Sequence, residues 1–400
     1  MKDVLISSFD MEVGGVERSL INMLENFDYK SYDVDLMLYR HQGELMKLLP
    51  QNHNLINEVE EYTTFRKSIS EVIKEKKLAI GIARLIAKCN TSLLGKLKGI
   101  KESGYYQMQL MWKYAMPFLP TLGKTYDIAI SYLWPHYFVA EKVTARRKIA
   151  WIHTDYSTIE VDTLLDLKMW NKFNYIISIS EACTEAFLKK YPSLKNKIVL
   201  VENITSPLFV RQMSLEVIEE KIEKDSNFKI VSVGRLCYQK GFDIAIKALK
   251  LLKDKGIQNI TWYVVGYGGD EAMLSELINK NDLKDSFILL GKKLNPYPYM
   301  KACDLYVQPS RYEGKAVTIA EAQILGKPVL ITDYPTAKSQ IREGFDGVIT
   351  DLSIEGIADG IERLYNDKSL RDLLGSNSNN SSYSNINELE KLYQLMVEGN

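Results

Sequence analysis

Cysteine and histidine are scarce in this chain, four of each in 400 residues. Cys89, Cys183, Cys237 and Cys303 stand far apart, without redox-pair or zinc-site spacing, and read as reduced core thiols. Net charge is missing too. Fifty-one basic and 51 acidic side chains cancel, so no global field favours nucleic acid, and no stretch resembles a nucleic-acid-binding module. No apolar run reaches the ~18 residues of a membrane span. The opening Lys2-Asp3-Val4-Leu5-Ile6-Ser7-Ser8 lacks the pattern of a secretory leader. Together these absences predict a cytoplasmic chain. A dinucleotide fingerprint is absent as well. Gly14-Gly15 opens a predicted helix, but Ser19 stands where a third glycine is sought, which disfavours an oxidoreductase. Asp33-Val34-Asp35 is the one carboxylate pair resembling a metal motif. It opens a strand, where two carboxylates are ordinarily solvated, and no metal site is expected anywhere.

What is present is a regular alternation of short apolar runs with helical patterns. Val4–Ser7, Val34–Leu38, Asp127–Ser131, Lys148–Ile152, Tyr175–Ile179 and Ile198–Val201 suit parallel strands covered on both faces. Residues 202–227 are polar and irregular, include Pro207, and read as a linker. A second alternating series follows, with strands at Phe228–Val233, Ile260–Val265, Phe287–Gly291, Asp304–Val307, Val329–Thr332 and Gly347–Ile349. Residues 376–384, rich in Asn and Ser, read as a flexible connector, and Ile386–Val397 as a last helix. The fold class is α/β. The expected division is 1–205, 206–382, and a segment 383–400 that returns to the first domain.

Candidate chemistry concentrates in the second half. After the strand ending at Val307, Pro309 and Gly314 mark a loop, and a helix is predicted from Ala316 to Leu325, stopped by Gly326 and Pro328. Glu313 lies on that loop and Glu321 more than one turn inside the helix, so the two carboxylates can grip one ligand at two points. Vicinal hydroxyls offer donors that a carboxylate accepts together, through charge-assisted bonds. The free N–H groups of the helix start suit an anion such as phosphate. A second loop, Gly234-Arg235-Leu236-Cys237-Tyr238-Gln239-Lys240-Gly241, places a guanidinium fork and an ammonium beside another helix start, a set suited to a diphosphate.

Glu-x7-Glu, with Gly after the first Glu and Ala on both sides of the second, resembles the signature of retaining GT-B glycosyltransferases of family 4. Gly-Arg-x4-Lys-Gly resembles that family's second motif. The resemblance implies two Rossmann-like domains facing a central cleft, a nucleotide-sugar donor (a UDP-sugar) used as substrate, and no cofactor. It implies that Glu313 contacts the donor sugar and Glu321 the nucleotide ribose, with Gly314, Lys315 and Ala316 beside them on the donor. Arg235 and Lys240 would bracket the diphosphate, and Gly266 and Gly268 of Gly266-Tyr267-Gly268-Gly269 would lie by the base. In the first half, Gly14 and Gly15 would face donor phosphates and acceptor. His153, within Trp151-Ile152-His153-Thr154-Asp155-Tyr156, resembles a histidine proposed to touch the donor sugar. The stretch from Glu313 to Ile341 is similar to bacterial enzymes of capsule or exopolysaccharide assembly, so a glycan or lipid-linked glycan acceptor is expected. The rivals are a nucleotide-sugar epimerase or hydrolase of the same fold, and a non-catalytic binding protein.

Residues 64–124 depart from the rest. Twelve lysines and arginines face three glutamates there, an excess of nine positive charges in a neutral protein. Apolar residues from Ile69 to Leu97, and from Met108 to Leu119 with Trp112, interleave with them. This pattern predicts a helical insertion lying on an anionic membrane surface, at the inner face of the cell membrane. His136, in Trp134-Pro135-His136-Tyr137, follows a strand but belongs to no motif.

Overall fold

The computed structural model describes residues 1–97, 104–154, 156–157, 159–218, 221–313 and 315–397. The chain forms two compact units, Met1–Ile204 with Ile386–Asn400, and Thr205–Asn385.

The first unit is built on β1 (Lys2–Ser8), β2 (Tyr32–Leu38), β3 (Asn54–Leu55), β4 (Thr125–Ser131), β5 (Thr144–Ile152), β6 (Tyr175–Ser178) and β7 (Ile198–Leu200). All pair in parallel, in the order β3-β2-β1-β4-β5-β6-β7. Val4, Leu5 and Ile6 are wholly buried, as an apolar run covered on both faces requires. The second unit has β8 (Phe228–Val233), β9 (Ile260–Val265), β10 (Phe287–Gly291), β11 (Leu305–Gln308), β12 (Val329–Thr332) and β13 (Val348–Thr350). These run in parallel as β10-β9-β8-β11-β12-β13. Both sheets therefore follow the doubly wound 3-2-1-4-5-6 order. In such a sheet the first and fourth strands leave in opposite directions, opening a crevice at their carboxyl ends. Loops after β1 and β4 meet at that point in the first unit, and loops after β8 and β11 in the second.

Several sequence expectations change. The 202–227 stretch is not all linker: Pro207–Met213 is a helix, with Ser206 accepting the Phe209 N–H at 3.3 Å. Pro207 supplies the preset φ of a first helical position, which reads as a breaker only when the cap is overlooked. The Asn/Ser-rich connector is half helix, since Lys368–Asn380 is helical and Ser378 is fully buried against the Asp346 carbonyl. Asp35 is not solvated. It is 6% exposed and accepts hydrogen bonds from Tyr126 at 2.8 Å, Asn54 at 2.8 Å and Lys124 at 3.1 Å. Of the four cysteines only Cys183 and Cys303 are buried.

The insertion also differs from expectation. Helix Gly104–Ala115 turns its aromatic side inward: Trp112 is wholly buried and stacks on Phe65 at 4.2 Å, beside Tyr62 and Tyr39. Tyr106, Leu110, Met111 and Leu119 are buried with it. This second apolar run therefore belongs to the core of the first unit and is not free for a membrane. Gln109 pins the helix further by donating to Asp166 at 3.1 Å, while its carbonyl accepts the Asp162 N–H at 2.7 Å. The preceding helix, Leu78–Leu97, behaves otherwise, with Leu78, Ile82, Leu85, Ile86 and Leu93 exposed.

Candidate active site

In the second unit, β11 ends in Gln308, and Pro309 turns the chain so that Ser310 and Glu313 fold back over the strand end. The Glu313 carboxylate is nearly buried. One oxygen receives Lys240 Nζ at 2.5 Å, Ser310 Oγ at 2.6 Å and Gln308 Nε2 at 3.3 Å. The other receives Gln239 Nε2 at 3.3 Å. Gln308 is itself fixed, its carbonyl accepting from Tyr306 at 2.8 Å and Thr318 at 3.2 Å. The Thr336 hydroxyl holds the Glu313 backbone carbonyl at 2.9 Å. A buried carboxylate survives because its charge is paired by Lys240 and one of its oxygens takes three donors, while the other keeps room for a further one.

Glycines bring the two signature loops together. Gly241 has φ +68°, and a Cβ there would lie 2.0 Å from the Pro309 carbonyl oxygen. Only glycine permits this approach, which carries Lys240 to Glu313. A Cβ on Gly234 would meet the Lys240 side chain at 3.2 Å. Arg311 fastens the same junction with a bidentate bond to Asp243 at 2.8 and 2.7 Å, its guanidinium lying 4.0 Å over the Tyr238 ring. Gly266 and Gly268 serve a third loop. Their Cβ atoms would strike the Gly234 and Leu236 carbonyl oxygens at 1.8 and 2.2 Å, so both are needed for backbone packing. The Leu236 N–H donates to the Tyr267 carbonyl at 3.0 Å across this seam.

Glu321 sits in helix Val317–Ile324 and is 3% exposed. One carboxylate oxygen accepts from the Tyr297 hydroxyl at 2.9 Å, and the other is buried without a partner among the described residues. An unfilled buried carboxylate oxygen costs at least about 1–3 kcal/mol, and a ligand hydroxyl would recover it. The helix start is less open to an anion than the sequence suggests, because the Ala316 N–H donates to Gln340 at 2.8 Å. Lys315 is exposed, and so is Arg235, which has no protein partner among the described residues. Gly314 lies outside the described residues. Sequence reasoning missed Gln308, Ser310, Arg311, Tyr297 and Gln340. Only Gln308 carried a signal, as a polar residue closing an apolar strand.

In the first unit, Gly14 precedes helix Gly15–Glu25 in extended conformation, and a Cβ on it would lie 2.2 Å from a Glu17 carboxylate oxygen. Burial, aided by nearby Asp10, pushes the Glu17 carboxyl up to about 7. Arg66 pairs with Asp10 at 2.9 Å. Gly15 is exposed and crowded by nothing. His153 follows β5, with its ring 4.7 Å from that of Tyr132 and both nitrogens buried without a well-formed hydrogen bond among the described residues. His136, after β4, joins it in one small pocket with Trp134, Trp151 and Tyr156. The Ser131 hydroxyl lies 2.8 Å from His136 Nδ1. Burial drives both imidazoles down to about 3, so both are neutral at ordinary pH. His153 can therefore share a hydrogen bond with a ligand but holds no proton to give as an acid. Asp155, in the same loop, lies outside the described residues. Among the described residues no three His, Cys, Asp or Glu side chains gather to hold a metal ion.

Residues 215–381 match the family model of glycosyl transferases group 1. An uncharacterized glycosyltransferase of Methanocaldococcus jannaschii is 33% identical over 182 residues, 44% of each chain. The capsular polysaccharide biosynthesis glycosyltransferase CapM of Staphylococcus aureus is 29% identical over 241 residues, 56% of this chain and 62% of that one. Such matches span between 44% and 62% of these relatives' own length. Among solved structures, HepE of Anabaena in complex with UDP and glucose superposes with a TM-score of 0.69 at 17% identity, covering 98% of this chain and 99% of that one. The fold is thus GT-B, two Rossmann-like domains. Arg235, Lys240, Glu313 and Glu321 all lie inside the stretch of the second unit that matches the glycosyl transferases group 1.

Proposed function

We propose that the protein moves a hexosyl group from a UDP-sugar to a glycan acceptor, lipid-linked, in the assembly of a bacterial surface polysaccharide. The observation that carries this reading is the unfilled oxygen of Glu321, set in the same loop-and-helix unit as the Lys240–Glu313 pair. The open carboxylate oxygen suits a ribose hydroxyl. Glu313, held from beneath by Gln308 and Ser310, presents the rest of its carboxylate to sugar hydroxyls. Lys240 and Arg235 face the diphosphate. CapM, named for capsule synthesis, and the UDP and glucose held by HepE support the choice of substrate class.

In the reaction the bond from the anomeric carbon to the diphosphate oxygen breaks, and the acceptor hydroxyl oxygen takes its place. We assign retention, with the acceptor entering on the face the phosphate leaves and its proton passing to the departing phosphate oxygen. Negative charge grows on that oxygen as the bond breaks. Lys240 and Arg235 stabilise it, which supplies the positive charge without a metal ion.

The test is UDP release from a panel of UDP-sugars, with and without membrane extract as acceptor source. Lys240→Met should lower kcat about a hundredfold, as removal of one transition-state donor does. Glu321→Gln should chiefly weaken UDP binding, by about tenfold. Wild-type protein that neither binds UDP nor releases it would overturn the reading. Release or conversion of donor regardless of acceptor would favour an epimerase or hydrolase.

A further inference from the structure

Helix Leu78–Leu97 is built inside out. Among the described residues it buries Ile80, Gly81, Ala83, Arg84, Ala87 and Thr91, small or polar for the most part. Arg84 makes this possible by donating to the Thr64 carbonyl and, at 2.7 Å, to the Lys67 carbonyl. Apart from Ile80, the large aliphatic side chains described on it point the other way. Leu78, Ile82, Leu85, Ile86 and Leu93 are 46% to 65% exposed, and Ile73 just before the helix is 42% exposed. At 3.6 residues per turn the five helical positions fall within an arc of about 100°, a single continuous stripe opposite the buried face. Apolar side chains gathered this way mark an interaction surface, whereas scattered ones need no explanation.

The charges beside the stripe choose its partner. Lys67 and Lys77 are neutralised by Glu75, Glu60 and Glu61. Lys74, Lys76 and Lys88 are exposed and have no carboxylate partner among the described residues. We propose that this face docks flat on an anionic lipid surface, its aliphatic stripe entering the headgroup boundary and its lysines meeting lipid phosphates. A second copy of the chain is a poor occupant, since it would oppose the same positive charges to one another. Among the described residues no helix is long and apolar enough to cross a membrane, so the contact is peripheral. Docking would hold the enzyme where a lipid-linked acceptor resides, yet it needs no donor and no turnover.

The experiment is co-sedimentation of the full chain with vesicles of phosphatidylcholine, and with vesicles containing about one third phosphatidylglycerol. The chain should partition only to the anionic vesicles, and raised salt should weaken that partition. An Ile82→Asp, Leu85→Asp double variant should lose at least about tenfold in partition. Its circular dichroism should not change and its thermal midpoint should move only slightly, because Ile82 and Leu85 are 56% and 49% exposed and lie on the face away from the core. UDP release with a soluble acceptor should also be unaffected, which separates failure here from failure of the glycosyl-transfer reading. Equal partition of variant and wild type, or none to either vesicle, overturns the proposal. So does a dimer in sedimentation velocity that the double variant dissolves, which would assign the stripe to a second copy.

Discussion

Glu17 keeps its proton to about pH 7 because folding strips water from its carboxyl at the start of helix Gly15–Glu25. In the unfolded chain the same group ionises near its ordinary 4.5. The folded state thus binds the extra proton between those values. The contribution to stability is complete below the unfolded value and is lost as pH rises through 7. Glu17→Gln, which cannot ionise, should match wild type at pH 4 and exceed it by about 2 kcal/mol at pH 8. Urea midpoints at the two pH values measure this, and an equal difference at both would refute it. His153 and His136 run the other way: neutral in the fold to about 3, they lose stability to the unfolded state as pH falls below 6.5. At this scale the sequence disclosed charge identities and little else. Glu313, Glu321 and Lys240 were legible from residue type and spacing. Gln308, Ser310 and Tyr297, which fill or hold the carboxylates, were not, because nothing in a linear sequence shows what the end of β11 lies against.

Turns, more than helices or strands, decide where the charged groups meet. Gly241 allows loop 234–241 to lie on Pro309, and both constraints act on it at once: a positive φ and a carbonyl 2.0 Å from any Cβ. Gly241→Ala should therefore cost about 2–3 kcal/mol and separate Lys240 from Glu313. Gly256 is the matched control, with φ +96° and no atom within 4 Å of an added Cβ. Gly256→Ala should cost only about 1 kcal/mol and leave UDP release intact. Chemical unfolding with the UDP-release assay on both variants separates backbone strain from displacement of the site. Equal loss in the two would show that crowding at Pro309 does not matter. Strands of the second unit were readable almost residue for residue, because parallel strands buried on both faces are unbroken apolar runs. The insertion was not readable in this way. Helices Leu78–Leu97 and Gly104–Ala115 both carry apolar residues within the same basic stretch, yet one buries its aromatic side and the other exposes its aliphatic one. Composition is the same kind of signal in both cases, and only the packing partner distinguishes them.

Over the whole molecule the chain completes its second unit at Asn385 and then supplies one more helix to the first. Helix Glu388–Val397 buries Leu389, Leu392, Leu395 and Met396. Tyr393 stacks on Tyr32 at 5.6 Å, meets Phe27 edge-on at 5.5 Å, and accepts the Asp28 N–H at 2.8 Å. Arg147, on β5, donates to the Leu395 carbonyl at 2.8 Å, and the Glu202 N–H donates to Glu388 at 3.0 Å. The first unit is thus sealed by residues 180 positions or more from its other parts, and its stability depends on a segment that follows the whole second unit in the chain. Each buried aliphatic side chain contributes roughly 1.5–3 kcal/mol, against a total of about 5–15 kcal/mol for a domain. Deletion of 386–400 should therefore leave the first unit largely unfolded near physiological temperature while the second persists. Hydrogen exchange resolves the two. Protection should vanish at Val4, Leu5 and Ile6 of β1 and at Val34 of β2, and persist at Ile230 and Val231 of β8. Tyr393→Ala should produce the same ordering more mildly, by about 2 kcal/mol. Loss of protection in β8 before β1 would mean that the last helix stabilises the wrong unit for this account.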